Sequence, residues 1–216
     1  MPRCLFHADS HGESNQLLSV IETEAPDAVF LLGDLELDRP LDEVMSNVQA
    51  PVYWIHGNHD TGEERFDFLF GSSFPSIDGR VIEIDGVRVA GLGGVFKESV
   101  WYPGRGAPKL RSREECIATA GKGNLWRGGV PRRKRDAIFP AELSGLARQH
   151  ADVLILHEAP ESHRNGFREL GDLARQLGVR TVIHGHHHYD YESELGGGIR
   201  VIGLALNGSR LLTLTG

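Results

Sequence analysis

Five short polar motifs, each placed directly after an apolar run, constrain the fold of this chain more than any other feature. The motifs are Asp9-Ser10-His11, Gly33-Asp34, Gly57-Asn58-His59-Asp60, the single His157, and Gly185-His186-His187-His188. The runs before them, such as Val29-Phe30-Leu31-Leu32, are short and rich in apolar residues, which predicts buried strands. The polar side chains therefore fall at the carboxyl ends of strands, where open α/β sheets form their binding sites.

The rest of the chain alternates strand and helix signals, which predicts an α/β fold. Strands are expected to end near residue 8 and to cover 28–32, 52–55, 80–84, 87–92, 152–156 and 180–184, with three more between 189 and 215. Helices are expected over 13–24, 40–48, 62–70, 141–150 and 167–177. The turn Asp85-Gly86 joins two of the strands into a predicted hairpin.

Size and composition favour an ordinary globular protein. The 216 residues suit one domain over 1–216 that carries a sizeable insertion. Cys4 and Cys116 form no C-x-x-C pair, so neither a disulfide framework nor a cysteine zinc site is expected. Met1-Pro2-Arg3 leads into a strand rather than a signal peptide, and no apolar run approaches the roughly 20 residues that cross a bilayer. We therefore expect a cytoplasmic protein without a membrane partner.

A basic segment rich in glycine, proline and arginine, at about residues 93–140, interrupts the α/β pattern. Between Lys97 and Arg135, eleven basic residues face three glutamates, which gives this part a charge of +8 and the remainder −15. The segment has little periodicity, and long irregular stretches are more often functional or mobile than idle. Its charge indicates that this region faces an anion.

Two interpretations of the basic segment stay open. Because arginine binds phosphate through two parallel hydrogen bonds, four side chains are candidate substrate ligands. They are Arg127, Arg132, Arg133 and Arg135. The segment would then be a mobile lid, and Trp101, Tyr102 or Trp126 could stack on a flat group. Alternatively it is a solvated loop whose arginines pair with the acidic body, and the tryptophans are local core residues.

The five motifs together offer carboxylate, amide and imidazole ligands without a thiolate. This mixture suits Mn²⁺, Fe²⁺, Zn²⁺, Co²⁺ or Ni²⁺ better than Ca²⁺. Each motif alone also has a structural explanation: Gly33-Asp34 would be a turn, and Asp9 or Ser10 a helix N-cap. Likewise His157 would be a buried histidine, and the three consecutive histidines a surface tract. Their joint occurrence, in one order and after strands, favours a metal centre.

In the order D-x-H, G-D, G-N-H-[DE], H and G-H-x-H, the motifs resemble the pattern of the calcineurin-like metallophosphoesterase superfamily over most of the chain. The resemblance implies a four-layer α/β/β/α sandwich with two mixed sheets, and two divalent metal ions, with manganese favoured. It implies seven ligands: Asp9, His11 and His188 for one metal, Asn58, His157 and His186 for the other, and Asp34 between them. The variable position of the last motif, His187, is not expected to be a ligand.

The resemblance also implies that a hydroxide held by the metals attacks phosphorus, with His59 and Asp60 as catalytic residues. A protonated His59 would stabilise charge or protonate the leaving oxygen, and it needs an orienting carboxylate. In the protein-phosphatase branch that partner is the second aspartate of G-D-x-x-D-R-G, from which this chain departs at Asp38 and Pro40. The departure argues against that branch and leaves Asp60, Asp38 and Glu36 as possible partners.

Three functions are compatible with these residues. The preferred one is a phosphodiesterase or nucleotidase, whose substrate would be a small phosphorylated compound such as a nucleotide or a nucleic-acid end. The alternative is a phosphomonoesterase, including a phosphoprotein phosphatase. The third is a non-catalytic metal-bound scaffold, against which the intact His59 and the full ligand set argue.

Overall fold

The computed structural model describes residues 1–61 and 68–216. The strands are β1 Arg3–Ala8, β2 Ala28–Leu31, β3 Val52–Trp54, β4 Arg80–Ile84, β5 Val87–Leu92, β6 Val153–Leu156, β7 Thr181–His184, β8 Tyr191–Leu195, β9 Ile199–Gly203 and β10 Gly208–Thr213. The helices are α1 Ser14–Glu24, α2 Leu41–Val44, α3 Arg113–Thr119, α4 Pro140–Leu146 and α5 Arg168–Leu177. Most of the helix predicted over 62–70 lies outside the described residues.

The strands form two mixed sheets. The first has the order β10-β1-β2-β3, in which β1, β2 and β3 are parallel and β10 is antiparallel to β1. The second has the order β4-β5-β6-β7-β9-β8, with a parallel centre and the antiparallel strands β4 and β8 at its edges. The predicted hairpin of β4 and β5 is confirmed, since Ile84 pairs with Val87 beside the tight turn.

Alternation along the strands separates three apolar layers. In β1, Phe6 faces the second sheet and packs in the same cluster as Ile155 and Ile183, whereas Leu5 faces the opposite way, towards α1 and α2. Helices α4 and α5 cover the outer face of the second sheet, where Leu173 is buried. Because each sheet is buried on both faces, its central strands are mostly apolar, as is usual for parallel sheets. The predicted α/β/β/α sandwich is confirmed.

The last strand of the chain returns to the first sheet. After β8 and β9 have completed the second sheet, β10 crosses over and pairs with the whole of β1. Backbone hydrogen bonds from Leu204 to His184 and from Asn207 to Asp9 guide this passage beside the ends of β7 and β1. The crossing segment therefore helps to fix the loop that carries the first polar motif.

The basic segment has more structure than the sequence suggested, so the expectation of an irregular stretch is wrong for Arg113–Thr119. Ser112 caps α3 by accepting a hydrogen bond from the Glu115 N–H at 3.2 Å, a pattern that the sequence Ser112-Arg113-Glu114-Glu115 carries. Two 3₁₀ turns follow, at Lys122–Asn124 and Arg132–Lys134. A small core that includes Val100, Cys116 and Phe139 stabilises the segment.

Candidate metal centre

Six of the seven predicted ligands follow strands of the two sheets at the same rim. Three lie in loops after strands of the first sheet, namely Asp9 after β1, Asp34 after β2 and Asn58 after β3. The others lie after strands of the second sheet, namely His157 after β6 and both His186 and His188 after β7. The seventh, His11, lies in the same loop as Asp9. The facing sheets therefore bring both sets of side chains to one place.

The first group of donor atoms consists of Asp9, His11 and His188. One ligand atom from each lies within 4.8 Å of the others. The Nε2 atoms of His11 and His188 lie 3.2 Å apart, and Nε2 of His188 lies 3.8 Å from Oδ1 of Asp9. Two imidazole nitrogens and a carboxylate oxygen that face one another in this way form a suitable ligand set for a borderline divalent cation.

The second group consists of Asp34, His157 and His186, whose ligand atoms also lie within 4.8 Å of one another. The Nε2 atom of His157 lies 3.1 Å from Oδ1 of Asn58 and 3.4 Å from Oδ2 of Asp34. On the other side of the same ring, Nδ1 contacts the carbonyl oxygen of Leu32 at 2.8 Å. A proton on Nδ1 satisfies that contact and leaves Nε2 as a ligand, the arrangement usual for metal-binding histidines.

The electrostatics of the site favour positive charge. Burial lowers the pKa of His157, but the charges of Asp34 and Asp9 outweigh it and raise that pKa to about 10. Burial also opposes ionisation of Asp34, yet the charge and hydrogen bond of His157 hold the pKa of Asp34 below its ordinary value. Burial lowers the pKa of His186 to about 4, so its imidazole is neutral and able to ligate. The residues present therefore fit the two cations that the donor set implies.

Close packing and backbone strain hold the ligand loops in place. A Cβ atom on Gly185 would lie 2.6 Å from Oδ2 of Asp9, and one on Gly57 would collide with the carboxylate of Asp34. Several ligands adopt the left-handed backbone conformation that side chains usually avoid. They are Asp9, His11, Asp34, His186 and His188, with φ angles between 42° and 69°. Such strain persists where the surroundings over-determine the backbone, as they do at functional sites.

Of the three carboxylates left open as partners of His59, Glu36 is the one that contacts its ring. Oε1 of Glu36 lies 2.7 Å from Nδ1 of His59, and Oε2 lies 3.4 Å from Nδ1 of His11. Asp38 is exposed. The His59 side chain is about half exposed (52%) and its ring lies beside that of His11, with 5.2 Å between centroids. His59 thus borders the first donor group and is open to a substrate.

Asp60 has a different environment from the one expected of a catalytic group. Its carboxylate is buried and accepts hydrogen bonds from four backbone N–H groups at 2.8–3.1 Å. These donors belong to Asp34, Leu35, Glu36 and Gly57. The carboxylate therefore joins the loop after β2 to the loop after β3. Asp60 thus supports the loops around the metal centre, and its carboxylate oxygens do not contact His59.

A buried glutamate and a further histidine complete the surroundings of the second group. Glu158 Oε1 lies 3.3 Å from Nε2 of His187, and Oε2 lies 3.9 Å from Nε2 of His186. The ring of His187 stacks on that of His163, with 4.0 Å between centroids. Sequence reasoning missed Glu158, although its position directly after His157 was the available signal.

The four candidate arginines fall into two pairs. Arg132 and Arg133 line a cavity of about 520 Å³ that also borders the ligand Asn58. We call it the basic pocket; its lining is Asn58, Thr61, Lys97, Ser99, Arg132, Arg133, Lys134 and Asp136. Arg127 and Arg135 line another cavity, of about 510 Å³, beside His56. None of the seven candidate ligands is among the described residues that line that second cavity, so the structure does not place Arg127 and Arg135 beside the metal centre.

Among the described residues, some cations of the basic segment form ion pairs and others do not. Some of its cations pair with carboxylates; for example, Lys97 Nζ lies 2.7 Å from Oδ1 of Asp136 and Arg113 contacts Glu142 at 2.5 Å. Arg133 and Lys134, by contrast, form no ion pair with any residue in the described ranges. The 3₁₀ turn that carries them therefore directs positive charge into the basic pocket.

The aromatic side chains of the basic segment contact other side chains of the protein. Trp101 packs edge-on against Phe96, and Tyr102 packs against Phe167. The guanidinium of Arg132 lies over the ring of Trp126, 3.7 Å from its centroid. Trp101 is thus partly buried against the core, and Trp126 supports an arginine of the basic pocket.

Another cavity borders the first donor group. It has a volume of about 610 Å³ and lies between the loop after β6 and the segment after His186. We call it the tyrosine pocket; its lining is Ser162, His163, Arg164, Asn165, His187, His188, Tyr189 and Tyr191. The centre is therefore flanked by two cavities, one at Asn58, which contacts His157 of the second group, and one at His188 of the first.

Comparison with known proteins agrees with this geometry. The chain belongs to the calcineurin-like phosphoesterase family, whose model matches residues 2–190. It is 40% identical to an uncharacterized protein of Haemophilus influenzae, over 87% of this chain and 84% of that protein. It is 23% identical to a probable cyclic nucleotide phosphodiesterase of a Pseudoalteromonas species, over 88% of this chain and 70% of that protein.

A solved structure shows the same fold. A dimetal phosphatase from Danio rerio superposes with a TM-score of 0.58 and 14% identity, over 96% of this chain and 89% of that chain. The family depends on a dinuclear metal centre and acts on phosphate esters, which agrees with the two donor groups found here. In the part of the chain that the structure describes, no helix has the length and apolar character needed to span a membrane.

Proposed function

We propose that this protein is a phosphodiesterase or nucleotidase that hydrolyses a small phosphate ester at a dinuclear metal centre. Asp9, His11 and His188 would hold one ion and Asn58, His157 and His186 the other, with Asp34 between them. The observation that carries the proposal is the juxtaposition of the two donor groups with His59, whose ring is oriented and exposed. When bound, two divalent cations supply an acidified water and offset charge on the phosphoryl oxygens. Manganese is the ion that we favour.

In this proposal, His59 is the residue that donates a hydrogen bond or a proton to the substrate. Glu36 fixes its Nδ1 atom at 2.7 Å, which leaves Nε2 to donate a hydrogen bond or a proton to the leaving oxygen. Asp60, which the resemblance implies to be catalytic, accepts four backbone hydrogen bonds that join the loops of Asp34 and Gly57. Its proposed role is to position these loops.

The two flanking cavities support a diester in preference to a monoester. A phosphodiester has two substituents on phosphorus, and one cavity of sufficient size borders His188 while another borders Asn58. Arg132 and Arg133 in the basic pocket suit an anionic part of the substrate. The name of the Pseudoalteromonas relative, a probable cyclic nucleotide phosphodiesterase, agrees with this class of substrate.

The test is hydrolysis of bis-p-nitrophenyl phosphate and p-nitrophenyl phosphate by the purified protein with added Mn²⁺, with the His59→Ala protein as the matched control. We expect the diester to be hydrolysed with the higher kcat/KM, and His59→Ala to lower kcat about 10²–10⁴-fold. Preference for the monoester would replace the proposal with the phosphomonoesterase alternative. A metal-loaded protein that hydrolyses neither compound, nor any nucleotide, would favour the scaffold.

A further inference from the structure

The tyrosine pocket has a composition that the phosphate chemistry of the centre does not explain. Tyr189 is 66% exposed, an unusual position for so large a ring, and it follows directly after the proposed ligand His188. Its ring lies nearly parallel to that of Tyr191, with an interplanar angle of 27° and 6.3 Å between centroids. Neighbouring exposed aromatic groups that form one patch are candidate contact surfaces for a ligand.

Two further flat rings, those of His163 and His187, line the same pocket. His163 and His187 are stacked with an interplanar angle of 19°, and Nδ1 of His163 accepts a hydrogen bond from the backbone N–H of Asn165 at 3.3 Å. The loop after β6 is thereby held against the segment after β7. The pocket consequently presents flat faces from two elements that are fixed relative to each other.

The charge of the tyrosine pocket differs from that of the basic pocket. Arg164 is its one permanently charged lining residue, and no carboxylate is found among the described residues that line it. The basic pocket, by contrast, contains Lys97, Arg132, Arg133 and Lys134. A second phosphate would therefore prefer the basic pocket, and the tyrosine pocket suits a neutral, planar group.

The size and polar groups of the tyrosine pocket narrow the class of planar group that it would bind. A volume of about 610 Å³ exceeds what a single phenyl ring requires and lies within the usual range for cofactor-sized ligands. The exposed side-chain amide of Asn165 makes no hydrogen bond to another described residue, so both its donor and its acceptor are open to a ligand edge. Flat faces with an adjacent amide are the features that recognise a nucleobase.

We infer that the tyrosine pocket binds the nucleoside part of the substrate, with the base stacked on Tyr189 and its phosphate at the metal centre. The inference rests on the proposed function and deepens it, because it says which pocket holds the nucleoside and which side chain the base stacks on. Stacking on an aromatic side chain stabilises a bound base enough to change affinity about tenfold or more.

The experiment measures binding of adenosine 5′-monophosphate and of inorganic phosphate by titration calorimetry. All proteins carry His59→Ala to slow turnover and are loaded with Mn²⁺. Tyr189→Leu removes the flat ring, and Tyr189→Phe is the matched control that keeps it. We expect the nucleotide to bind at least about tenfold more tightly than phosphate, Tyr189→Leu to lose about tenfold of the nucleotide affinity, and Tyr189→Phe to retain it.

Two results would overturn the inference: equal affinities for nucleotide and phosphate, or an undiminished nucleotide affinity in Tyr189→Leu. Circular dichroism and metal content of each variant confirm that its fold and centre are intact. Hydrolysis of bis-p-nitrophenyl phosphate by the protein with His59 separates the two proposals. Hydrolysis without a nucleotide advantage defeats the pocket assignment alone, whereas tyrosine-dependent nucleotide binding without any hydrolysis defeats the proposed function.

Discussion

The carboxylate of Glu36 lies between the rings of His59 and His11, 2.7 Å from Nδ1 of the first and 3.4 Å from Nδ1 of the second. One side chain therefore orients a proposed catalytic group and a proposed ligand at the same time. Each ring is left with its Nε2 atom for chemistry or ligation. Glu36 itself adopts a left-handed backbone conformation, with φ of 47°, which its backbone hydrogen bond to Asp60 helps to maintain.

Replacing Glu36 by glutamine is expected to lower kcat about 10–100-fold, because an amide orients the two imidazoles less strongly than a carboxylate. Steady-state kinetics and elemental analysis of the same preparation check this. Asp38→Asn is the matched control, since Asp38 lies two residues away and is exposed. Wild-type kcat in Glu36→Gln would show that the contact with His59 has no role in turnover.

Replacing Asp34 by alanine should empty at least one metal site and abolish turnover, because its carboxylate lies within the second donor group and accepts the His59 backbone N–H at 2.7 Å. Replacing His59 by alanine should slow turnover and leave the metals bound. Metal per protein, measured by elemental analysis after gel filtration, distinguishes the two variants. Loss of both metals in His59→Ala would contradict the roles assigned to these residues.

Replacing Asp60 by asparagine should lower the free energy of unfolding by about 2–4 kcal/mol, because hydrogen bonds to a buried charge are each worth about 1.5–3 kcal/mol and some survive in the amide. Urea unfolding measures this loss, and metal affinity should fall with it since the loops of Asp34 and Gly57 lose their common acceptor. A stable, fully metallated Asp60→Asn protein without turnover would instead restore the catalytic role.

The two arginine pairs should differ in their effect on substrate binding. Arg132→Ala with Arg133→Ala removes charge from the cavity that borders Asn58, so KM for an anionic substrate should rise about tenfold while metal content stays constant. Arg127→Ala with Arg135→Ala changes the other cavity and serves as a control of equal charge. Equal KM values for the two double variants would favour the interpretation of the basic segment as a solvated loop.

The pair of Asp78 and His56 should give stability that depends on pH. Burial opposes ionisation of Asp78, but His56 at 3.2 Å and the Gly93 N–H outweigh it and lower the pKa of Asp78 to about 2. Because the folded pKa lies below the unfolded one, near 3.9, the stabilisation is present above about pH 4 and is lost as pH falls towards 2.

Asp78→Asn should therefore destabilise the protein by about 1 kcal/mol at pH 6, a figure reduced because the side chain is partly exposed, and by less at pH 3. Urea unfolding of both proteins at the two pH values measures the difference. Glu83→Gln, on the exposed side of β4, is a suitable control. A difference that is the same at both pH values would show that the charge of Asp78 is not its source.

Much of the fold could be predicted because local pattern and global structure agree. Short apolar runs gave the central strands, and the turn Asp85-Gly86 gave the hairpin. The pairing of β10 with β1 could not be read from periodicity, since nothing local in Gly208–Thr213 says which sheet it joins. Helix α3 was missed because its seven residues are too few for a clear helical period, although its N-cap signal was present.

The candidate site, like the fold, could be predicted from the sequence only in part. Ligand candidates follow strand ends, so their convergence could be anticipated. The partner of His59 could not, because Glu36, Asp38 and Asp60 lie within reach in sequence and only the left-handed turn at Glu36 decides which carboxylate faces the ring. Likewise the separation of Arg132 and Arg133 from Arg127 and Arg135 depends on the path of a 3₁₀ turn, which composition does not encode.

The seven proposed ligands are divided between the two sheets, with Asp9, His11, Asp34 and Asn58 on one and His157, His186 and His188 on the other. Sliding of one sheet over the other at this rim would stretch bonds to any ion held there. An ion held by ligands from both sheets would therefore cross-link them, and its release would loosen this end of the sandwich.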